Sequence, residues 1–388
     1  MTAKPFDGVY IVGAGQSVYE KRTDRPVQRV FWEAMQSALD SAGLGWEDVD
    51  GLAATSFMLG PDNVTTLAEH YGLEPRWLYQ GAYGGASGII GLLQAARAIQ
   101  AGDADVVLCA AADVFDVSTH NDMIDRSFSG PLRDYLAPFG FGGANGVFAL
   151  HTRVYMEKYG ARSEDFGRLA IAQRANALLN PNALFKQALT MDDYLQARPI
   201  ADPLRLFDCV LPCCGGDAVV LCGEKTASRL SVPLVRIRGG GQRHNYPADD
   251  LYGLRAGWEA FSDSMYEQAG CGPGDVHFAQ LYDDYPVMEC LQLEGLGFCA
   301  RGEAAQLIRD GCGPVGGALP LNTGGGQLSA GQAGAAGGMI GLFEAVTQLR
   351  GEAGDRQVDC RQGLVSGYGM VSYGRGLSTA AAIFDNVV

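Results

Sequence analysis

The chain reads as an α/β protein built from two similar halves, roughly residues 1–230 and 231–388. Three features point there. A strand–helix–turn–strand order near the start returns far downstream at a constant offset. An apolar stretch at 105–111 has the length of a strand buried on both faces. Hydrophobic residues make up 47% of the 388 and charged residues 19%, enough for a large core and too apolar for a disordered chain.

Val9-Tyr10-Ile11-Val12 is the first strand, closed by Gly13. A helix is predicted over 27–42, where Val30, Phe31, Ala34, Met35, Ala38, Leu39 and Ala42 recur at spacings of three and four, and Gly43 stops it. Trp46-Glu47-Asp48-Val49-Asp50 then leads into a short strand at 52–55. Downstream, Leu234-Val235-Arg236-Ile237 reads as a strand, with a helix over about 258–269 and a strand over 278–282 after it. Ala42, Gly43, Gly45, Asp48 and Val49 match Ala269, Gly270, Gly272, Asp275 and Val276, each 227 positions later. Val9 falls on Arg236 by the same offset. Residues 87–101 are small or apolar all round, so that helix should be buried on every side. Gly102 stops it before the strand at 105–111. The stretch at about 113–200 mixes helices, clearest at 163–179, with aromatic loops. An insertion of that length reads as a substrate cover.

Net charge is −15, Lys occurs five times and no basic run exists, which excludes a nucleic-acid or polybasic membrane surface. No apolar stretch reaches membrane-spanning length, and Met1 to Asp7 carry no apolar signal region. Ten cysteines in so long a chain are too sparse for a disulfide scaffold. A cytoplasmic protein with reduced thiols is expected.

Four segments could carry chemistry. Tyr83-Gly84-Gly85-Ala86-Ser87-Gly88 opens the buried helix, where free N–H groups suit a developing negative charge. Leu281-Tyr282-Asp283-Asp284-Tyr285-Pro286 closes a strand at its carboxyl end, where α/β sheets place ligands. Its bland reading is a loop in which Asp283 or Asp284 caps the helix expected over 287–296. Asn322 to Gly334 is Gly-rich between core-like flanks, which means crowding rather than a flexible linker. Gly367-Tyr368-Gly369-Met370-Val371-Ser372-Tyr373-Gly374 should be a loop between strands at 363–366 and 377–384, and a candidate pocket wall.

Other motifs fail. Gly13-Ala14-Gly15 lacks a third Gly at Val18 and no helix follows at once, so dinucleotide binding is rejected. Cys209, Cys213, Cys214 and Cys222 lack zinc spacing, and no metal site is expected. No G-x-S-x-G occurs, and His70, His120, His151, His244 and His277 share no motif.

The order and context of the four segments resemble the thiolase superfamily over essentially the whole chain, closest to its sterol-carrier and lipid-transfer-protein-type branch. Asn322 to Gly338 resembles that branch's N-x-x-G-G-x-x-S-x-G-H-P-x-G-x-x-G motif without a gap, Tyr282 to Tyr285 its H-D-x-F motif, and Gly84 to Gly88 its N-C-A-x-G nucleophile turn. The resemblance implies a thiolase fold. Its five αβαβα layers would come from two five-stranded sheets around buried helices at 87–101 and about 338–350, in a dimer. The departures carry the function. Gly85 stands at the nucleophilic Cys, Tyr282 at the first His, Gln332 at the His of G-H-P and Met288 at the Asn, and the C-terminal Cys loop is Gly367-Tyr368-Gly369. Acyl-enzyme chemistry needs a thiolate and its base, and neither survives.

The same losses are found in the thiolase-like acyl-CoA aldolases of steroid side-chain degradation. The resemblance implies retro-aldol cleavage of a β-hydroxyacyl-CoA to acetyl- or propionyl-CoA plus a ketone or aldehyde. It also implies a small OB-fold and zinc-ribbon partner in a heterotetramer, and no cofactor, since CoA is part of the substrate. On this reading Tyr282 is the acid/base, Asp284 tunes its phenol, and Gln332 and Tyr368 line the site. Gly85, Tyr83, Asn322 and Gly369 bind substrate or hold its oxyanion. Those aldolases have a second catalytic Tyr where this chain has Gln332. Tyr368 or a carboxylate would take that role, or the substrate differs, or the chain is not catalytic. Two rivals therefore stay open: a non-catalytic acyl-CoA-binding or scaffolding subunit, and a Cys-independent Claisen-type enzyme.

Overall fold

The computed structural model describes residues 5–387 except 128, 129, 142, 251, 373 and 374. The opening Met1 to Lys4, and Tyr373 and Gly374 of the C-terminal segment, lie outside the described residues.

In the first half, β1 (Val9–Gln16), α1 (Val27–Ala42), β2 (Gly51–Thr55), α2 (Val64–His70), β3 (Trp77–Gln80), α3 (Ser87–Ala101) and β4 (Val106–Val114) follow in order. The insertion holds α4 (Val117–Ser127), α5 (Gly143–Tyr159), α6 (Ser163–Leu178) and α7 (Met191–Gln196). A small hairpin of β5 (Pro199–Ala201) and β6 (Leu204–Arg205) precedes β7 (Cys214–Gly223) and α8 (Glu224–Ala227). The rest of the chain forms β8 (Val235–His244), α9 (Ser262–Ala269), β9 (Phe278–Gln280), α10 (Pro286–Gly295), α11 (Ala304–Arg309), α12 (Ile340–Leu349), β10 (Gln362–Ser372) and β11 (Arg375–Asn386).

Nine strands run in the order β3-β2-β4-β7-β1-β8-β11-β10-β9. β1 and β8 join the halves through Tyr10–Arg236 and Ile11–Val235. On either side of that seam the pattern is mirrored. β7 is antiparallel to β1 and β4, as β11 is to β8 and β10, and β2 lies parallel to β4 as β9 does to β10. At the helix stops and the turns that follow, residues 227 apart take the same conformation. Gly43 and Gly270 end α1 and α9 at φ 67° and 69°, a left-handed bend that glycine makes without a Cβ penalty. The N–H of Gly45 donates to Asp48 at 2.9 Å, as that of Gly272 does to Asp275 at 2.8 Å.

The second half departs from five strands. Its fifth is a single bridge, Ala279 to Leu321. Pro314 and Pro320 supply no N–H in that segment. The expected helix at 258–269 begins as a 3₁₀ turn, Gly257–Ala260, before α9.

The layers follow from burial. α1 packs its buried face on β1, β4 and β7, and Gly13 and Gly15, the rejected dinucleotide pair, let it lie directly on β1. α3 and α12 fill the middle, touching strands of both halves. α9, α10 and the insertion helices α5 and α6 cover the far face.

Candidate active site

β9 ends at Gln280, and the next residues are held by side chains instead of a neighbouring strand. Leu281 donates its N–H to Asn322 Oδ1 at 2.8 Å. Gln292 on α10 clamps Tyr282 from both sides: its Oε1 accepts the Tyr282 N–H at 2.9 Å and its Nε2 donates to the Tyr282 carbonyl at 2.7 Å. Asp283 does not cap α10, whose N-cap makes no side-chain hydrogen bond. It accepts the N–H groups of Gln327 and Leu328 at 2.9 and 3.1 Å, and so fixes the start of the Gly326–Ala330 turn. Tyr285 donates to Asn145 Oδ1 at 2.7 Å and stacks on Phe148 at 4.2 Å. Two elements far apart in sequence, the insertion and the Gly-rich segment, thereby close around one strand end.

The Gly85 turn meets that strand end directly. A Cβ built on Gly85 would fall inside the Tyr282 ring at Cε2 and Cζ, nearer than any real carbon contact. The phenol therefore fills the volume that a Cys side chain would need. Gly85 and Tyr282 are two sides of one exchange: neither the Cys nor any other side chain fits at 85 while the tyrosine ring is in place. A Cβ on Gly369 would meet the Gly85 nitrogen at 2.7 Å and the Cα of Gly84 at 2.8 Å, so the hairpin backbone lies directly against this turn.

Gly367 to Ser372 is not a loop. It continues β10, paired with β11 to Ser372–Arg375. Glycines here reduce side-chain bulk so that two backbones can approach, which reads as loop in sequence and is strand in space.

A cavity of about 210 Å³ opens beside Gly85. Six of the expected residues line it: Gly85, Tyr282, Asp284, Gln332, Tyr368 and Gly369. Two do not. Tyr83 packs its ring against His244 at 5.3 Å, and Asn322 spends its amide on Leu281 and Glu289. Asn322 thus holds the backbone just before Tyr282. Walls the sequence reading missed include Phe57, Phe115, His120 and Phe148; Tyr285, quoted in the strand-end segment without a role, joins them. Phe115 and His120 follow the carboxyl end of β4, and the strand-end rule that picked out Tyr282 would have found them.

The electrostatics run against one expectation. The charge of Asp284 raises the Tyr282 phenol instead of lowering it. Burial pushes that phenol well above its ordinary value, and the charges of Asp284 and Asp283 push it further, while the amides of Gln332 and Gln327 offset part. Burial, then the charge of Asp283, also holds Asp284 well above the carboxylate range. Burial thus favours the protonated form of both groups. Tyr368 is raised by burial too, and its hydroxyl accepts the N–H of Gly376, which fixes it across the hairpin. Asp284 Oδ1, Gln332 Oε1 and His120 Nδ1 are buried atoms without a partner on cavity-lining residues. Buried polar groups left unpaired in a native fold call for an explanation, and a bound substrate supplies one. Among the described residues no cluster of His, Cys, Asp and Glu is arranged to hold a metal ion, and no helix is long and apolar enough to cross a membrane.

The thiolase C-terminal domain-like family matches residues 242–384. A steroid side-chain-cleaving aldolase of Thermomonospora curvata is 34% identical over 92% of this chain and 94% of its own. A 17-hydroxy-3-oxo-4-pregnene-20-carboxyl-CoA lyase of Mycobacterium tuberculosis is 35% identical over 88% and 91%. Among solved structures, an "Ltp2-ChsH2(DUF35) aldolase" superposes with a TM-score of 0.85 at 32% identity, covering 99% of this chain and 98% of that one. A sterol-carrier-type thiolase-like protein of Mycobacterium smegmatis, at 20% identity and a TM-score of 0.71, shares the fold. The chain belongs to the thiolase-fold family that contains the steroid side-chain-cleaving aldolases.

Proposed function

We propose that this chain cleaves the Cα–Cβ bond of a β-hydroxyacyl-CoA by a retro-aldol reaction, with no covalent acyl-enzyme. The observation that carries this is the Tyr282 ring lying over Gly85 in the space of a nucleophile's side chain. With no thiolate available, the reaction must be one that needs only proton transfer and stabilisation of an enolate. The cavity offers both. Gly85 and Gly369 both line it, and their backbone N–H groups are the candidate donors to a thioester oxygen, where one oriented donor is worth roughly 3–4 kcal/mol. Tyr282, a neutral phenol, is the acid that protonates the enolate carbon. No cofactor is called for.

The substrate class follows from the relatives, which act on steroid side chains by name. A cavity of about 210 Å³ would take the thioester and the β-carbon, with a bulky ring system extending beyond it. The products would be acetyl- or propionyl-CoA and a ketone or aldehyde. The double name of one structural neighbour, an Ltp2-ChsH2(DUF35) aldolase, supports a second protein component; the family resemblance adds that it is a small OB-fold and zinc-ribbon protein on a homodimer of this chain, in the cytoplasm.

The test is product analysis by mass spectrometry after incubation with a panel of β-hydroxyacyl-CoAs, with and without such a partner. Shortened acyl-CoA plus a carbonyl compound is the expected result. Binding without cleavage across the panel would make the chain the non-catalytic subunit. A thioester on any cysteine in the intact mass would contradict the mechanism.

A further inference from the structure

Retro-aldol cleavage needs a group to receive the β-hydroxyl proton, and this inference rests on the aldolase reading. The cavity's titratable side chains are Tyr282, Asp284, Tyr285, Tyr368 and His120. Four of them are poor acceptors. Tyr285 gives its hydroxyl hydrogen to Asn145. Tyr368 already accepts from Gly376. Burial raises Tyr282 and Asp284 above their ordinary values, which favours their protonated forms.

His120 remains. It sits on α4, the first helix after β4, so the insertion delivers it to the same end of the sheet as Tyr282. Its backbone is tied down by the N–H to Asp116 carbonyl bond at 2.9 Å, and its ring packs edge-on against Phe115 at 5.4 Å. Nδ1 is buried and has no partner, while Nε2 is neither enclosed nor hydrogen-bonded. A structural histidine commonly has one nitrogen fixed by a carbonyl or carboxylate, which sets its tautomer. Here nothing sets it, so a ligand hydroxyl can. Burial also favours the neutral ring.

We propose that His120 is the general base of the reaction, its Nε2 taking the β-hydroxyl proton of the substrate. The O–H pair then forms the new carbonyl, and the Cα–Cβ bond breaks with its electrons passing to the thioester as an enolate. Tyr282 protonates the enolate carbon. The proton on His120 returns to the Tyr282 phenolate through cavity water, and both groups are reset with no oxidant or co-reactant.

The test compares His120→Gln and His120→Ala with the unmodified chain on the β-hydroxyacyl-CoA it cleaves best. Glutamine keeps an N–H donor near the reach of Nε2 and removes the basic lone pair. The expected result is a kcat at least about 100-fold lower in both variants, the lower end for a general base. KM should stay within about threefold, and added imidazole should recover part of kcat in His120→Ala. An active chain whose His120→Gln variant keeps its kcat, or whose loss lies in KM alone, overturns this inference and leaves the aldolase reading standing. Loss of kcat with a lowered melting temperature and no imidazole recovery also overturns it. An unmodified chain that binds and cleaves nothing overturns both.

Discussion

The turns after β2 and β9 occupy equivalent places, 227 positions apart, and differ in what they do with their polar atoms. After β2, Thr55 donates to the Gly81 carbonyl at 2.9 Å and Ser56 to Asp113 at 2.6 Å. Asp113 also accepts the N–H groups of Met58 and Ala335 at 2.8 and 2.6 Å. After β9, Tyr282 and Asp284 stand where Thr55 and Phe57 stand in the first half, and they face the cavity. The fold is duplicated and the site is not. In the first half the polar groups are consumed by the protein. In the second, one carboxylate, Asp283, does that structural work, and its neighbours are left for a ligand. The β10 hairpin sharpens the contrast, because Gly369 brings backbone where Asp113 of β4 brings a carboxylate.

The largest effect that would break this comparison is expected at the contact between the halves. Gly85→Cys puts atoms inside the Tyr282 ring. Overpacking of this kind costs about 1–3 kcal/mol, and cleavage should fall below detection. No thiolysis and no acyl-enzyme should appear, because Tyr282 and Gln332 cannot supply the two missing histidines. Intact-mass and product analysis check this, and acyl transfer by Gly85→Cys would undo the pairing of Gly85 with Tyr282.

The two structural carboxylate systems should respond unequally. Asp283→Asn strips two backbone N–H groups of a charged acceptor, at a cost of about 1–3 kcal/mol. Ser56→Ala leaves Asp113 with its backbone donors and should cost about 1 kcal/mol. Denaturant unfolding of the two variants decides; equal losses would mean that the second turn is no more dependent on its carboxylate than the first.

A pH effect should follow from the same buried acids. Desolvation raises Asp113 and Asp283 to about 6 and Asp217 to about 7. A carboxyl raised in the folded state contributes stability that is complete below its unfolded value and lost as pH climbs through the folded one. The melting temperature should therefore fall between pH 5 and pH 7.5, and calorimetry showing a rise over that range would contradict the assignment. The smallest effect is expected at Tyr368→Phe. Its hydroxyl serves the Gly376 N–H and its ring covers that glycine, so the variant should lose a little stability and less than about tenfold in kcat, below the range of a proton-transfer group.

Much of this was legible in the chain. α1 and α3 fall on the residues their spacing and stop glycines mark out, because 3.6-residue periodicity and a left-handed cap are local properties. The Gly85–Tyr282 relation was legible only as two departures from one family's motifs. That they are a single steric exchange needs coordinates. His120 was passed over because nothing near it in sequence makes a motif; only its place just after the carboxyl end of β4 could have marked it. Asp283 was misread for a related reason. Its partners, Gln327 and Leu328, are more than forty residues away, and a capping rule that looks only at the next helix cannot see them.

The central claim is that the Tyr282 phenol, held over Gly85, moves the proton that completes carbon–carbon cleavage. Steady-state kinetics of Tyr282→Phe on a cleaved β-hydroxyacyl-CoA tests it most directly, since the ring still packs and only the hydroxyl is lost. The account predicts kcat lower by at least about 100-fold and KM little changed. Unchanged turnover by Tyr282→Phe would contradict it.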